Sequence, residues 1–250
     1  MGVAQVSKPK ILFLDIETAP DLAYVWGVYE QNAIEVKEHW YILSYAARWG
    51  KGPIFCEGLD DVGGKDDYKL VKRIHALLEE ADIVVAHNGV DFDIKKINAR
   101  LIAQGFTPPA PYKVVDTKRE IKKVAAFSSN KLDWLCRQLS LGRKLQHEGF
   151  EMWKGCMAGD RKAWKKMKKY NKHDIKLLSE LYALISPWIR QPNASMWSPG
   201  RCVNPNCGST DLESRGFAYT TTRVYPRFQC RSCGKWCRGV ASERKTGVTA

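Results

Sequence analysis

The stretch Ile11-Leu12-Phe13-Leu14-Asp15-Ile16-Glu17-Thr18, ILFLDIET, begins as a buried β-strand and ends in two carboxylates. Side chains alternate faces along a strand and rise about 3.3 Å per residue, so Asp15 and Glu17 share one face with Cα atoms about 6.6 Å apart. An unpaired buried carboxylate costs several kcal/mol or is neutralised by a proton. Two acids aimed at one point therefore call for a cation, a set of donors or open water. With oxygen ligands only, they form half of a site for a hard cation such as Mg²⁺ or Mn²⁺.

Outward from this strand, apolar β-rich runs alternate with helical patterns. Residues 41–48, 53–56, 83–86 and 113–115 read as further strands, and 67–80, 93–104, 117–124, 132–139 and 161–189 as helices. Gly105 is placed to close the second of these helices. The alternation predicts an α/β architecture, a sheet flanked by helices.

Two more acidic segments fall where such a sheet collects ligands. His87-Asn88-Gly89-Val90-Asp91-Phe92-Asp93 follows the strand at 83–86 and opens a helix, which puts Asp93 near a strand's C-terminal end. In the last long helix, Trp164, Met167, Asn171, Asp174, Leu178, Leu181 and Ile185 recur at steps of three and four and define one buried face that carries Asp174. Tyr170, four residues earlier, lies one turn away on the same side. Taken singly, each motif has a structural explanation: a solvated strand end, a first-turn acid favoured by the helix dipole, a salt-bridged Asp beside a packed Tyr.

Together, D-I-E-T at 15–18, H-N-G-V-D-F-D at 87–93 and Y-N-K-H-D at 170–174 resemble, in order and over residues 10–189, the DEDD 3′-5′ exonucleases of the ribonuclease H-like superfamily. That resemblance implies a ribonuclease H-like mixed sheet and a metal-dependent phosphodiester hydrolase. Members using a catalytic His carry it five residues before the last Asp, where this chain has Lys169. Tyr170, four before, is similar to the Tyr-type branch. By the same resemblance Asp15 would bridge two Mg²⁺ or Mn²⁺ ions, and Glu17 and Asp174 would help hold the one that activates water. Asp93 would act on the second, partly through water, and Tyr170 would orient the attacking water. Thr18, Asn88 and Lys172 are the expected substrate contacts. His173 points off the metal face, Asp91 is not at a ligand position, and Asp116 resembles a structural strand-end acid.

The 250 residues carry 40 Lys and Arg against 27 Asp and Glu, a formal net charge of +13, which favours a polyanionic partner. Single-stranded DNA is the favoured substrate, with an exoribonuclease on the same fold or a non-catalytic nucleic-acid-binding module as alternatives. No run approaches the length of a membrane span, and a cytoplasmic location is expected. The basic run Arg161 to Lys169 fits phosphate tracking and a solvated helix face equally well.

Five of eight cysteines crowd the C-terminal end. Cys202-x₄-Cys207 and Cys230-x₂-Cys233, each pair followed by Gly208 or Gly234, read as a zinc ribbon with a Cys₄ structural Zn²⁺, Cys237 being the alternative to Cys233. Residues 200–250 hold nine Lys or Arg against three acids, with Phe217, Tyr219, Tyr225, Phe228 and Trp236 interleaved. That composition suits a single strand, at least two of the five rings being needed for the module's own core. The expected organisation is an exonuclease domain at 1–190, a linker at 191–200, a ribbon at 201–240 and a tail at 241–250. The ribbon is also the expected docking element for a replication or repair protein.

Overall fold

The computed structural model describes residues 8–29, 32–63, 66–191, 199–220 and 223–240. Most of the expected linker, 192–198, and the whole expected tail, 241–250, lie outside the described residues. Lys10–Leu181 forms one compact unit, and the described residues from Tyr182 onward, with Lys8 and Pro9, form a second.

In the first unit, β1 (Ile11–Thr18), β2 (Leu22–Tyr24), β3 (Glu35–Glu38), β4 (Ile42–Trp49) and β5 (Ile54–Gly58) precede the helices α1 (Leu59–Val62) and α2 (Tyr68–Glu80). Then come β6 (Ile83–Ala86), α3 (Asp93–Ala103), β7 (Lys113–Asp116), α4 (Thr117–Val124), α5 (Leu132–Gln138), α6 (Phe150–Met157) and α7 (Arg161–Ile185), whose residues from Tyr182 onward belong to the second unit. Five strands form a mixed sheet in the order β5-β4-β1-β6-β7, with β1 at the centre, antiparallel to β4 and parallel to β6. This is the ribonuclease H-like arrangement expected from the motifs.

The central strand is apolar because both its faces are covered. Leu12, Leu14 and Ile16, all on one face, join the core with Leu43 of β4, Val84 of β6, Leu70, Ile74 and Leu78 of α2 and Ile97 and Leu101 of α3. Burying each such side chain contributes about 1.5–3 kcal/mol. Helix α3 closes as Gly105 predicts: at φ 72° it takes the left-handed conformation, and the next amide, of Phe106, reaches back to the Leu101 carbonyl at 2.9 Å.

The structure also departs from the sequence reading. Helix α7 stops at Ile185 rather than 189, because Pro187 lacks an amide hydrogen and disfavours helical backbone at Ser186. The short β2–β3 hairpin, α1 and α6 carry too few periodic residues to be read from spacing, and β3 is exposed along its length.

One buried ion pair ties three elements of this core together. Asp67, ahead of α2, accepts a fork from Arg100 of α3 (2.8 and 2.5 Å), a bond from Gln104 (2.6 Å) and the Ile42 amide of β4 (2.8 Å). Removing one partner strands the other, so Asp67→Ala should cost about 3–5 kcal/mol. Urea unfolding should show a lower midpoint at unchanged slope, and a loss under about 1 kcal/mol would contradict this role.

In the second unit β8 (Leu212–Tyr219), β9 (Val224–Cys230) and β10 (Trp236–Arg238) form an antiparallel sheet in the order β10-β9-β8.

Candidate active site and metal centres

Each functional side chain is positioned by an identifiable local device. Strand β1 carries Asp15 and Glu17 opposite Ala46 and Ser44 of β4, and the register slips immediately after Glu17. Its parallel neighbour β6 ends at Ala86, and the turn that follows delivers Asp93 as the first residue of α3. Asn88 adopts φ 69°, a left-handed conformation that Asn tolerates, and a Cβ at Gly89 would lie 2.3 Å from that of Ala86. Asp116 anchors this turn by accepting the amides of Asn88 (3.0 Å) and Val90 (3.2 Å) while it caps α4. Helix α7 brings Tyr170, Asn171 and Asp174 to the same place.

Carboxylate oxygens of Asp15, Glu17 and Asp174 lie within 4.8 Å of one another. Asp93 stands beside this trio with Oδ1 accepting the Ile16 amide at 3.0 Å. Two further residues complete the cluster. The Asn171 amide donates to Asp15 Oδ2 at 2.5 Å while its carbonyl accepts from the Ser44 hydroxyl at 3.1 Å. The Lys144 ammonium donates to Asp174 Oδ2 at 2.5 Å and to the Tyr170 hydroxyl at 2.9 Å. Neither role was read from the sequence. Asn171 left a trace, a polar amide on the buried stripe of α7; Lys144 lies in an irregular segment and left none.

Four carboxylates thus face one ammonium, and their protonation shows the strain. Burial and then Asp93, Glu17 and Asp174 push Asp15 well above the usual carboxylate range. Glu17 is raised to about 8 by burial and by Asp174, and Asp93 to about 7 by burial against the opposing Ile16 amide. Burial also raises Asp174, which Lys144 pulls back down. Tyr170 is pushed up to about 12 by burial, so its phenol stays protonated at neutral pH. Burial alone would lower Lys144, but Asp174 and Tyr170 raise it on balance. Asp174 Oδ1 is buried without a hydrogen-bond partner among the described residues. Converging oxygens, surplus negative charge and an orphaned lone pair fit a hard divalent cation.

A groove adjoins the cluster, lined by Thr18, Trp40, Lys96, His147, Phe150 and Trp153. The rings of His147 and Trp153, which line this groove, meet that of Tyr170 at 4.9 and 6.2 Å. Of the expected substrate contacts, Thr18 lines this groove, Asn88 accepts a bond from Lys118 at 2.9 Å, and Lys172 is exposed. His173 bonds the Arg143 carbonyl and Asp91 pairs with Arg119. In the basic run, Lys166 pairs with Glu148 and Lys168 with Asp60 and Asp61, whereas Lys162, Lys165 and Lys169 are exposed.

The second unit holds a different donor set. Sulfurs of Cys202, Cys207, Cys230 and Cys233 lie within 4.8 Å of one another, and such a cluster can bind zinc. Gly208 and Gly234 take left-handed φ of 66° and 74°, which folds each cysteine pair into a knuckle. Amides of Asn204, Ser209, Ser232 and Cys233 then face sulfurs of the cluster. The Cys237 sulfur instead lies 3.8 Å from the Phe228 carbonyl.

The raised carboxylates have a consequence for stability without metal. Their folded pKa values exceed those of the unfolded chain, near 4, so the folded state holds more protons between pH 4 and about 8. Stability of metal-free protein should therefore fall as pH rises from 5 to 8, and Mg²⁺ or Mn²⁺ should restore it most at the upper end. Thermal melts across this range check the sign; a rise in stability with pH in the absence of metal would contradict it.

No curated protein matches the chain in sequence. Among solved structures, it is similar to the family B DNA polymerase of the hyperthermophilic archaeon Pyrobaculum calidifontis, with a TM-score of 0.55 at 15% identity. The match covers 72% of this chain but only 25% of the polymerase, so the likeness is one of fold over a quarter of that protein's length. Among the described residues no helix is long and apolar enough to cross a membrane. The RNase H superfamily model matches residues 12–186, a span that includes all four clustered acids and Tyr170. Nucleases of this kind use divalent metals on nucleic-acid substrates, and the match supports nuclease activity in general. With the greater part of its length matched, the chain belongs to the RNase H superfamily.

Proposed function

We propose that the protein is a Tyr-type DEDD 3′-5′ exonuclease that hydrolyses phosphodiester bonds, with single-stranded DNA as its preferred substrate and a C-terminal zinc ribbon. The observation that carries this reading is the convergence of Asp15, Glu17 and Asp174 within 4.8 Å, with the Tyr170 hydroxyl tied to Asp174 through Lys144. Asp15, Glu17, Asp93 and Asp174 would hold two Mg²⁺ or Mn²⁺ ions, which supply charge neutralisation and an acidified water.

The chain's own residues then do the rest. Asn171 fixes the rotamer of Asp15, and the Ile16 amide that of Asp93. Tyr170, protonated at neutral pH, orients water at the scissile phosphate through its hydroxyl. Lys144 keeps that hydroxyl and Asp174 in register, and its charge offsets part of the negative charge that develops on the phosphate. The groove beside Tyr170 receives the terminal nucleotide, whose base meets Trp40, Phe150 and Trp153. In the second unit Cys202, Cys207, Cys230 and Cys233 hold one structural Zn²⁺.

Purified protein with Mn²⁺ should shorten 5′-labelled single-stranded DNA one nucleotide at a time from the 3′ end, more slowly when the DNA is duplex. Asp15→Ala should lower the rate by more than about a hundredfold, beyond the ten- to hundredfold typical of contacts that only orient a ligand, which is the range expected for Asn171→Ala. Tyr170→Phe should lower kcat far more than it alters KM. Internal cleavage, or near-normal activity in Asp15→Ala, would overturn the reading; faster turnover of RNA would transfer it to an exoribonuclease.

A further inference from the structure

The three-stranded sheet of the second unit presents one face of unusual composition. Tyr225, Arg227 and Gln229 alternate along β9, and the register sets Arg238 opposite Arg227, Trp236 opposite Gln229 and Ala218 opposite Tyr225. These side chains therefore project from the same face. Each guanidinium lies over a ring of the neighbouring strand: Arg227 is 5.0 Å from the Trp236 centroid, and Arg238 is 4.7 Å from that of Tyr225. Trp236 is nonetheless 47% exposed. A groove runs over this face, edged by Gln191 and by Lys235, whose ammonium is fixed on the Ile189 carbonyl at 2.6 Å.

Charge on this face is one-sided. Among the described residues no carboxylate is ion-paired with Arg227, Lys235 or Arg238. Glu213, opposite Gln229 and so in the same row of this face as Trp236, is already taken by Arg215 (2.8 Å) and Arg231 (3.4 Å). We propose that this face is a second nucleic-acid site, separate from the carboxylate cluster, which binds single strands by stacking bases on Trp236 and Tyr225 while Arg227, Arg238 and Lys235 meet the phosphates. A duplex keeps its bases stacked inside, out of reach of the two rings, whereas a single strand offers base faces and phosphates together. An acidic peptide would satisfy the arginines and leave the rings without a partner.

The test is equilibrium binding of full-length protein to fluorescent dT30 and rU30 without Mg²⁺, Mn²⁺ or chelator, so that its outcome does not depend on the assigned hydrolysis. Trp236→Ala should weaken binding by about fivefold to a hundredfold, and Trp236→Phe should restore most of it. The double variant Arg227→Gln, Arg238→Gln should lower the slope of log affinity against log salt by about 1.4, two phosphate contacts at about 0.7 each. Arg215→Gln with Arg231→Gln removes the same charge from groups that Glu213 already holds, and should change the slope far less. Unchanged affinity in folded Trp236→Ala, or equal slope losses in the two arginine pairs, would overturn the proposal. If Trp236→Ala loses its β-sheet circular dichroism, the two slopes decide alone.

Discussion

Four carboxylates crowded around a single ammonium, among the described residues, at the end of a buried strand are the constraint on which the first unit is built. Asp15, Glu17, Asp93 and Asp174 arrive from three elements, and each is pushed toward its neutral form by burial, Asp15 and Glu17 also by their neighbouring acids. A fold that only needed stability would place Leu or Val there. Holding these acids together costs stability, which the surrounding core must offset.

The offset is visible in how little freedom the cluster leaves its supports. Asn171 spends its amide on Asp15 and its carbonyl on Ser44, so it braces β1 and β4 against α7. Asp116, itself buried, ties down the turn before Asp93 through two amides and caps the next helix with the same carboxylate. Lys144 spans the interval between Tyr170 and Asp174, which places its positive charge where a cation would otherwise be the only counter-ion. Cations drawn by the same oxygens would relieve repulsion that Lys144 alone leaves uncompensated.

Much of this was legible in the chain itself, for physical reasons. The central strand is readable because a strand covered on both faces must be continuously apolar until its function interrupts it, and α7 because a 25-residue helix sums many weak periodic preferences. Asp15, Glu17 and Asp174 were found by conflict with that burial. Lys144 was not, since it reaches the cluster from an irregular loop where no period constrains the reading. The β2–β3 hairpin escaped for the opposite reason: with little of its surface buried, it carries no alternation to detect. The cysteine knuckles were readable from spacing and from the glycines after each pair, because only a left-handed residue lets the amides turn toward sulfur.

The central claim is that metal neutralises the acids at the end of β1. Its most direct test is a crystal structure at pH 7.5 with millimolar Mn²⁺, read by anomalous scattering at the manganese edge. Anomalous density is predicted among the carboxylate oxygens of Asp15, Glu17 and Asp174, at metal–oxygen distances expected of a hard cation, about 2.0–2.2 Å. The same crystals with no anomalous density there, and with Lys144 as the sole counter-ion of Asp174, would contradict it.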